Sequence, residues 1–316
     1  MKQHLLENFA VPGVAAAFID SFILPPEAAL IEGMASGGFT ATDAVPVLSA
    51  ATGATWTEAD ARELLHQAYR RGVLRLADEG DAIFDVASFA ERLEVMVVSR
   101  PEEYLALDAG LREALDAWSF EEYLSRLGPE ERPTSDRVAT LDEALTCIDE
   151  STRQIFLNYC DCRVLAGRCD HPTRTCITFR DGPNTASHRG WSTPLSKAEA
   201  KEVVRQANTD GLVQTVNDDG MCNCCSDCCY LLRAQEVRRS GATWPLSRAL
   251  ASVDVDLCIL CGECVERCPF DAFRLVHDEL IRTADRCRGC GLCAETCPAE
   301  AILMAPREET CDLPRP

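Results

Sequence analysis

The residues whose chemistry is plainest are eight cysteines near the C-terminus. Residues 258–269 read CILCGECVERCP and residues 287–298 read CRGCGLCAETCP, so both segments fit the pattern CxxCxxCxxxCP. Thiolates at this spacing are typical ligands of iron–sulfur cubanes, because three close cysteines reach three iron corners while the following turn carries the fourth away. The two motifs therefore predict two [4Fe–4S] clusters.

In proteins with two such motifs, the fourth cysteine of each motif ligates the cluster of the other. This rule predicts two ligand sets, which are Cys258, Cys261, Cys264 and Cys297 for cluster 1, and Cys287, Cys290, Cys293 and Cys268 for cluster 2. Gly262, Gly289 and Gly291 let the backbone approach the inorganic sulfur. Zinc is disfavoured here because zinc sites pair CxxC knuckles, whereas each motif offers three close ligands and one remote one.

These residues resemble those of bacterial ferredoxins that carry two [4Fe–4S] clusters. The resemblance is confined to the C-terminal part of the chain, for which we take the bounds 251–316. It implies a pseudo-symmetric βαβ repeat in which two clusters lie close enough for rapid electron exchange.

A second group of nine cysteines lies upstream, in the segments NYCDCRVLAGRCDHPTRTC and MCNCCSDCCY. They are Cys160, Cys162, Cys169, Cys176, Cys222, Cys224, Cys225, Cys228 and Cys229. Neighbours such as Cys224 and Cys225 point in different directions, so we expect ligands from both segments and some thiols that bind no metal. At least one additional iron–sulfur cluster is favoured, with structural zinc and a set of redox-active thiols as alternatives, since all-thiolate donors suit iron–sulfur and zinc equally.

The placement of all nineteen cysteines favours metal ligation over disulfides. None precedes Cys147, and seventeen lie between Cys160 and Cys297, so these thiolates are crowded unless cations separate them. The sequence shows no export signal and no apolar run long enough to span a membrane, which predicts a cytoplasmic location, where thiols stay reduced. Cys147 and Cys311 stand outside both groups and are interpreted as free thiols.

The chain also resembles a family of multi-domain iron–sulfur proteins found widely in anaerobes. Members join an N-terminal winged-helix-like region to a CxCR segment, a cysteine-dense NCC block and a C-terminal dicluster ferredoxin. The corresponding residues here are Cys160, Cys162 and Arg163 with Cys169 and Cys176, then Asn223, Cys224, Cys225, Cys228 and Cys229. The resemblance implies iron–sulfur electron transfer in anaerobic metabolism and no named reaction.

The N-terminal residues have the apolar spacing of helices. Three helices are predicted in PPEAALIEGMA, TATDAVPVLSAATG and TEADARELLHQAYRRGVL, and Thr57 with Asp60 forms an N-cap signature for the third. Two apolar runs in LRLADEGDAIFDVA then flank a turn and predict a β-hairpin. Three helices followed by a hairpin is the order of a winged helix, which we assign to residues 1–100.

Charge argues against nucleic acid as the partner of this domain. The net charge is −20, and residues 1–150 hold 28 acidic and only 11 basic side chains. The helix of residues 57–71, which would enter a DNA groove, mixes three arginines with Glu58, Asp60 and Glu63. Because binding to phosphates needs a basic surface, a protein-contacting or structural role is favoured.

The sequence thus predicts an α+β multidomain chain. The predicted parts are a helical winged-helix-like domain (1–100), an acidic helical connector (101–133), a cysteine-rich α/β middle domain (134–250) and a bacterial dicluster ferredoxin (251–316). In the middle domain, RQIFLNYC predicts a strand, and SKAEAKEVVRQANTDG predicts a helix capped by Ser196 and Glu199 and ended by Gly211.

The favoured function is electron transfer to or from a redox enzyme or carrier protein, and the sequence does not predict an oligomeric state. The alternatives are a redox- or metal-responsive regulator and an oxidoreductase whose active metal lies among the middle cysteines. No GxGxxG, GxxxxGK[ST] or GxSxG motif is present, so nothing predicts a nucleotide site, a flavin site or a hydrolase nucleophile. A component of an oxidoreductase system is therefore favoured over a stand-alone enzyme.

Overall fold

A computed structural model describes residues 2–34, 37–78, 80, 82–277 and 279–307. The chain divides into two compact units. The first consists of Met1–Glu122, Val164–Ala166 and Arg180–Thr193, and the second of Tyr123–Arg163, Gly167–Phe179 and Pro194–Pro316.

Helices and one hairpin build the first unit. In the described residues these elements are α1 (Lys2–Asn8), a 3₁₀ turn (Ala16–Ser21), α2 (Pro25–Gly33), α3 (Ala41–Thr52), α4 (Glu58–Arg70), β1 (Leu74–Leu76), β2 (Phe84–Val86), α5 (Phe89–Ser99), α6 (Pro101–Leu105) and α7 (Ala109–Arg126). Local signals explain the ends of α4. Thr57 accepts a hydrogen bond from the Asp60 amide, and the Asp60 carboxylate accepts one from the Thr57 amide. The predicted helix and its cap are confirmed.

The hairpin is likewise confirmed, with β1 antiparallel to β2 and Leu74 paired with Val86. Glu79 and Asp81, which the sequence placed in its turn, lie outside the described residues. A bridge between Phe39 and Phe84 adds a third short stretch of backbone to this small sheet.

Residues Arg180–Thr193 belong to the first unit although they follow the middle cysteines in sequence. The Asn184 side-chain nitrogen Nδ2 donates to the Leu76 carbonyl, and the Asn184 side-chain oxygen accepts from the Leu76 backbone amide, so this side chain pairs with β1 as a strand would. The Arg189 guanidinium is buried, lies 4.3 Å from the Tyr69 ring centre and donates to the Leu74 carbonyl. A segment distant in sequence thereby completes the core beside α4 and β1.

A sheet of seven strands forms the larger part of the second unit. Its strands are β3 (Arg137–Ala139), β4 (Ile155–Asn158), β5 (Cys176–Thr178), β6 (Thr193–Leu195), β7 (Val213–Asn217), β8 (Gly220–Cys224) and β9 (Leu246–Ser247), in the order β6-β4-β5-β8-β7-β3-β9. β3 pairs with β9 in parallel, whereas β4–β5, β5–β8, β7–β8 and β3–β7 are antiparallel. The predicted strand in RQIFLNYC is β4.

Four helices connect the strands of this sheet in the described residues, and they are α8 (Leu141–Glu150), α9 (Asp161–Ala166), α10 (Lys197–Thr209) and α11 (Tyr230–Arg238). Two of them, α8 and α10, cover one face of the sheet. Ile148 of α8 and Val204 of α10 pack on Ile177 and Met221, which are fully buried. Because side chains alternate along a strand, the next residues, Cys176 and Cys222, point to the opposite face. The predicted caps of α10 are confirmed, since Ser196 accepts from the Glu199 amide and Gly211 has a φ of +90°.

The C-terminal residues form two βαβ repeats. The elements are β10 (Ala249–Val253), α12 (Glu263–Arg267), β11 (Phe273–Val276), β12 (Glu279–Arg282), α13 (Leu292–Glu295) and β13 (Ile302–Pro306), with a 3₁₀ turn at Ala284–Arg286. β10 pairs with β13, and β11 pairs with β12, both antiparallel. The first strand of one repeat thus pairs with the last strand of the other, which is the pseudo-symmetry expected from the sequence. Phe273 and Ile302 lie in the core between the repeats.

Candidate iron–sulfur centres

One cavity in the C-terminal repeats is lined by four cysteines from two distant parts of the sequence. Cys258 and Cys261 lie on the loop after β10, Cys264 lies in α12, and Cys297 follows α13. All four face a space of about 360 Å³ that holds no protein atoms. These are the four residues that the sequence predicted as the ligands of cluster 1.

A second cavity repeats this arrangement. Cys287 and Cys290 lie on the loop before α13, Cys293 lies in α13, and Cys268 follows α12, and together they line a space of about 290 Å³. The structure therefore brings together each of the two predicted sets of four cysteines, including the exchange of Cys268 and Cys297 between motifs.

Backbone amides are directed at the two exchanged cysteines in the same way. The Ala272 amide donates to Cys268 Sγ at 3.4 Å, and the Ala301 amide donates to Cys297 Sγ at 3.3 Å. Each donor lies four residues after its cysteine, so the same hydrogen bond is present in both βαβ repeats. Amide donors stabilise the negative charge on ligating sulfur.

Glycines begin the two short helices that carry the third cysteine of each motif. Gly262 precedes α12 with a φ of +83°, and Gly291 precedes α13 with a φ of +80°. Both values are left-handed and favour glycine. Gly289 is constrained further, because a Cβ at this position would lie 2.2 Å from the Ala249 carbonyl oxygen. The loop that carries Cys287 and Cys290 therefore packs directly on β10.

Burial raises the pKa of several of these thiols, to about 11 for Cys264 and about 12 for Cys290. Burial also raises the pKa of Cys268 and Cys293. Buried thiols ligate as thiolates only when cations take up their charge. Two cavities, each lined by four soft sulfur donors and directed amides, fit a [4Fe–4S] cluster in each.

The two cavities differ in exposure and in local charge. Cys261 is exposed at cavity 1, which Ile259 (65% exposed) also lines. In contrast, Cys287, Cys290 and Cys293 of cavity 2 are buried. The buried Arg288 lines cavity 2 and pairs with Glu236 of α11 at 2.6 Å. The sequence gives no local signal for the role of Glu236, which lies 52 residues away.

The nine middle cysteines separate into two groups. The first, which we call the three-thiol group, consists of Cys169, Cys225 and Cys228, whose sulfur atoms all lie within 4.8 Å of one another. In the second, Cys224 Sγ lies 3.2 Å from Cys229 Sγ and 3.5 Å from Thr215 Oγ1. Cys222 of the second group interacts with Cys176 and Cys224. Cys224 and Cys225 thus face different groups, as the sequence predicted for adjacent cysteines.

Cys160 and Cys162 lie near the second group, at the start of α9. Cys160 is the N-cap residue of α9, and both thiols have a pKa raised well above the ordinary value, chiefly by burial. We call these six thiols the sheet-face group, and they are Cys160, Cys162, Cys176, Cys222, Cys224 and Cys229. It draws ligand candidates from both cysteine segments.

Arg163 lies beside the three-thiol group. Its side chain is 2% exposed and donates to the carbonyls of Pro172 and Asn223 and to Thr175 Oγ1. Hydrogen bonds from Cys228, and after them from Arg163, lower the pKa of Cys225 to about 4. Arg163 therefore ties the two cysteine segments together and supplies a positive charge where thiolates collect.

Among the described cysteines, Cys147 stands apart from these groups. Cys147 in α8 accepts a hydrogen bond from the Arg137 guanidinium at 3.1 Å and packs against the core of the sheet. Cys311 lies outside the described residues. Among those residues, His171 does not join the tight group around Cys169.

The fold and the thiol-lined cavities define the C-terminal segment as a dicluster iron–sulfur module, and comparison with known proteins agrees. A family model described as a 4Fe-4S dicluster domain matches residues 251–304. The chain is 33% identical over 106 residues to NADH-quinone oxidoreductase subunit I of Pelobacter propionicus, a match that covers 32% of this chain and 55% of that protein. The chain thus spans about half the length of this curated relative. No solved structure matched the chain.

These findings support an iron–sulfur protein of electron transfer with a dicluster ferredoxin segment. Among the described residues, no helix has both the length and the apolar character that crossing a membrane requires.

Proposed function

We propose that this chain is an electron-transfer protein or subunit that passes electrons to or from a partner redox enzyme through two [4Fe–4S] clusters. The single observation that carries the proposal is the pair of cavities, each lined by three cysteines of one motif and one of the other. A single structural cluster would need one such set. Two interlocked sets support a relay.

The partner contacts the side of cavity 1. Leu257, Ile259 and Leu260 are exposed around Cys261, and the segment of residues 254–263 carries Asp254, Asp256 and Glu263 with no basic residue. Exposed apolar side chains among acidic ones suit a redox protein with an apolar face rimmed by lysine or arginine. Cavity 2, whose cysteines are buried and which Arg288 lines, would hold the second cluster of the path.

A basic haem protein, cytochrome c, provides a test of this surface. The reduced protein is mixed with oxidised cytochrome c in a stopped-flow instrument at several ionic strengths. We expect Asp256→Lys to slow electron transfer several-fold at low salt and to have little effect at high salt, because like charges repel and salt screens them. Asp218→Lys, an equal charge change in the turn between β7 and β8, is the matched control.

Equal slowing by both variants would contradict docking at cavity 1. Reduction by dithionite, a small molecule that needs no docking surface, must be unchanged in either variant. Metal analysis of the same samples shows whether slower electron transfer results from the changed surface charge or from the loss of a cluster.

We also propose that residues 1–100 form a winged helix that contacts protein. The order α2, Phe39, α3, α4, β1, β2, with Phe39 bridged to Phe84, supports this fold. The three arginines of the 57–71 segment are already engaged, since Arg62 pairs with Glu58, Arg71 pairs with Glu27, and Arg70 lies over Trp191. Salt-dependent binding of labelled duplex DNA by the full chain, measured by fluorescence anisotropy, would favour a regulator instead.

A further inference from the structure

The three-thiol group differs in geometry from the cysteines that line the two cavities. Cys169 Sγ lies 3.6 Å from Cys225 Sγ and 3.6 Å from Cys228 Sγ. Among the described residues, it is the group of potential metal ligands whose donor atoms all lie within 4.8 Å of one another. The eight ferredoxin cysteines do not form such a tight group, although each set of four surrounds one cavity.

The spacing distinguishes a single metal ion from a cluster. Four ligands at the zinc–sulfur bond length form a tetrahedron whose edges are about 3.8 Å long. In a cubane, each thiolate binds a different iron corner and the sulfur atoms point away from one another, so they lie further apart. Separations of 3.6 Å therefore fit one tetrahedral ion and leave no room for a cubane between the three sulfur atoms.

The surrounding charge fits an anionic metal centre. A divalent ion with three thiolates carries one net negative charge. The Arg163 guanidinium is buried beside Cys225, and its Nε has no hydrogen-bond partner while its other nitrogens bind Pro172, Thr175 and Asn223. A buried arginine requires a counter-charge, and a three-thiolate metal centre supplies one.

We propose that Cys169, Cys225 and Cys228 bind one zinc ion, whose fourth coordination position is filled by water or another small ligand. Among the described residues, no fourth histidine, cysteine or carboxylate has a donor atom within 4.8 Å of all three sulfur atoms. Three protein ligands with an open position differ from the closed arrangement of structural zinc. The six cysteines of the sheet-face group are not part of this site. The zinc site does not depend on the proposed electron-transfer function.

Metal analysis of the full chain, purified without oxygen, tests the site. We expect about one zinc per chain in the natural sequence, and a loss of at least about tenfold in Cys169→Ser and Cys228→Ser, with iron and acid-labile sulfide unchanged. Cys147→Ser, which removes a thiol outside both groups, is the matched control and keeps its zinc. Zinc retained in the Cys169 and Cys228 variants, or iron lost in place of zinc, would overturn the proposal.

A second measurement on the natural chain avoids the risk that a variant fails to fold. X-ray absorption at the zinc edge should show three sulfur neighbours at about 2.3 Å and one lighter neighbour. After mild chelation, Cys169, Cys225 and Cys228 should become reactive to iodoacetamide, as read by mass spectrometry, while the visible absorbance of the clusters persists. A zinc ion with four sulfur neighbours, or unchanged reactivity of the three cysteines, would contradict the assignment.

Discussion

At the scale of single residues, Cys268 and Cys297 determine whether the two clusters are interlocked. Each follows the first three cysteines of its own motif by only a short helix, yet each lines the cavity formed mainly by the other motif. The amides of Ala272 and Ala301 donate to these two sulfur atoms at nearly equal distances. A substitution at either cysteine should therefore damage the cluster formed mainly by the other motif.

Cys297→Ala tests this exchange. We expect loss of cluster 1, so Cys258, Cys261 and Cys264 become reactive to alkylation, while the first three cysteines of the second motif stay protected. Mass spectrometry of the alkylated peptides reads the result directly. The account is wrong if Cys287, Cys290 and Cys293 are the ones exposed. The control variant Cys147→Ala should leave the alkylation of the cysteines in both motifs unchanged.

Arg288 should set the reduction potential of cluster 2. Its buried positive charge stabilises the reduced cluster, which carries one more negative charge. Arg288→Gln should therefore lower the midpoint potential of one of the two clusters by tens of millivolts, a change on the order expected for removing one buried charge nearby. An EPR-monitored redox titration measures it, with the exposed Arg274→Gln as control. A raised potential, or an equal shift in the control, would contradict the assignment.

At the scale of elements, the loops before α12 and α13 repeat the same left-handed glycine, but their surroundings differ. Gly262 has no atom within 4 Å of the position of a Cβ, whereas at Gly289 a Cβ would meet the Ala249 carbonyl. Strain from positive φ applies to both positions, and a steric clash applies to Gly289 alone.

Gly289→Ala should therefore destabilise the protein more than Gly262→Ala. The φ of +83° at Gly262 costs alanine about 1 kcal/mol, and the clash at Gly289 adds at least about 2 kcal/mol. Thermal loss of the visible cluster absorbance, followed without oxygen, compares the two variants. Equal midpoints would show that the loop of cluster 2 does not pack on β10.

Arg267 joins two elements of the second unit. Its guanidinium donates to the Thr209 carbonyl at 2.8 Å and to the Asn208 carbonyl, both at the C-terminal end of α10. Free carbonyls at a helix end favour a positive charge. Arg267→Ala should lower the unfolding free energy by about 2 kcal/mol, because two hydrogen bonds to a charged group are lost. The thermal midpoint of the second unit checks this value, and the exposed Arg274→Ala should have little effect.

Local chemistry explains which elements the sequence could predict. The starts of α4 and α10 follow from Thr57 with Asp60 and from Ser196 with Glu199, pairs only three residues apart. The two groups of four cysteines that line the cavities could be predicted from spacing, because a motif of twelve residues restricts where its cysteines can reach. The pairing of Asn184 with β1 has no such signal, since it joins residues 108 positions apart.

The arrangement of the middle cysteines could likewise be predicted from the sequence only in part. Strand alternation separates Cys222 and Cys224 from the helix-covered face, and the sequence could indicate this much. The approach of Cys169 to Cys225 depends on the loop after α9 and on the contacts of Arg163, which link parts of the chain some sixty residues apart. Spacing alone therefore could not divide the nine thiols into a three-thiol group and a sheet-face group.

At the scale of the whole molecule, charge and cysteines are segregated along the chain. The acidic side chains concentrate in residues 1–150, while seventeen of the nineteen cysteines lie between Cys160 and Cys297. The described parts of the two compact units follow a similar division, with helices in the first and both thiol-lined cavities in the second. This division favours protein contact by the first unit and electron transfer by the second.

The central claim is that eight cysteines hold two iron–sulfur cubanes. A crystal of the protein grown without oxygen, with anomalous difference maps recorded at the iron and zinc absorption edges, tests it most directly. The account predicts one iron peak among Cys258, Cys261, Cys264 and Cys297 and another among Cys268, Cys287, Cys290 and Cys293. Zinc at these eight thiols, or a single iron centre shared by both motifs, would contradict it.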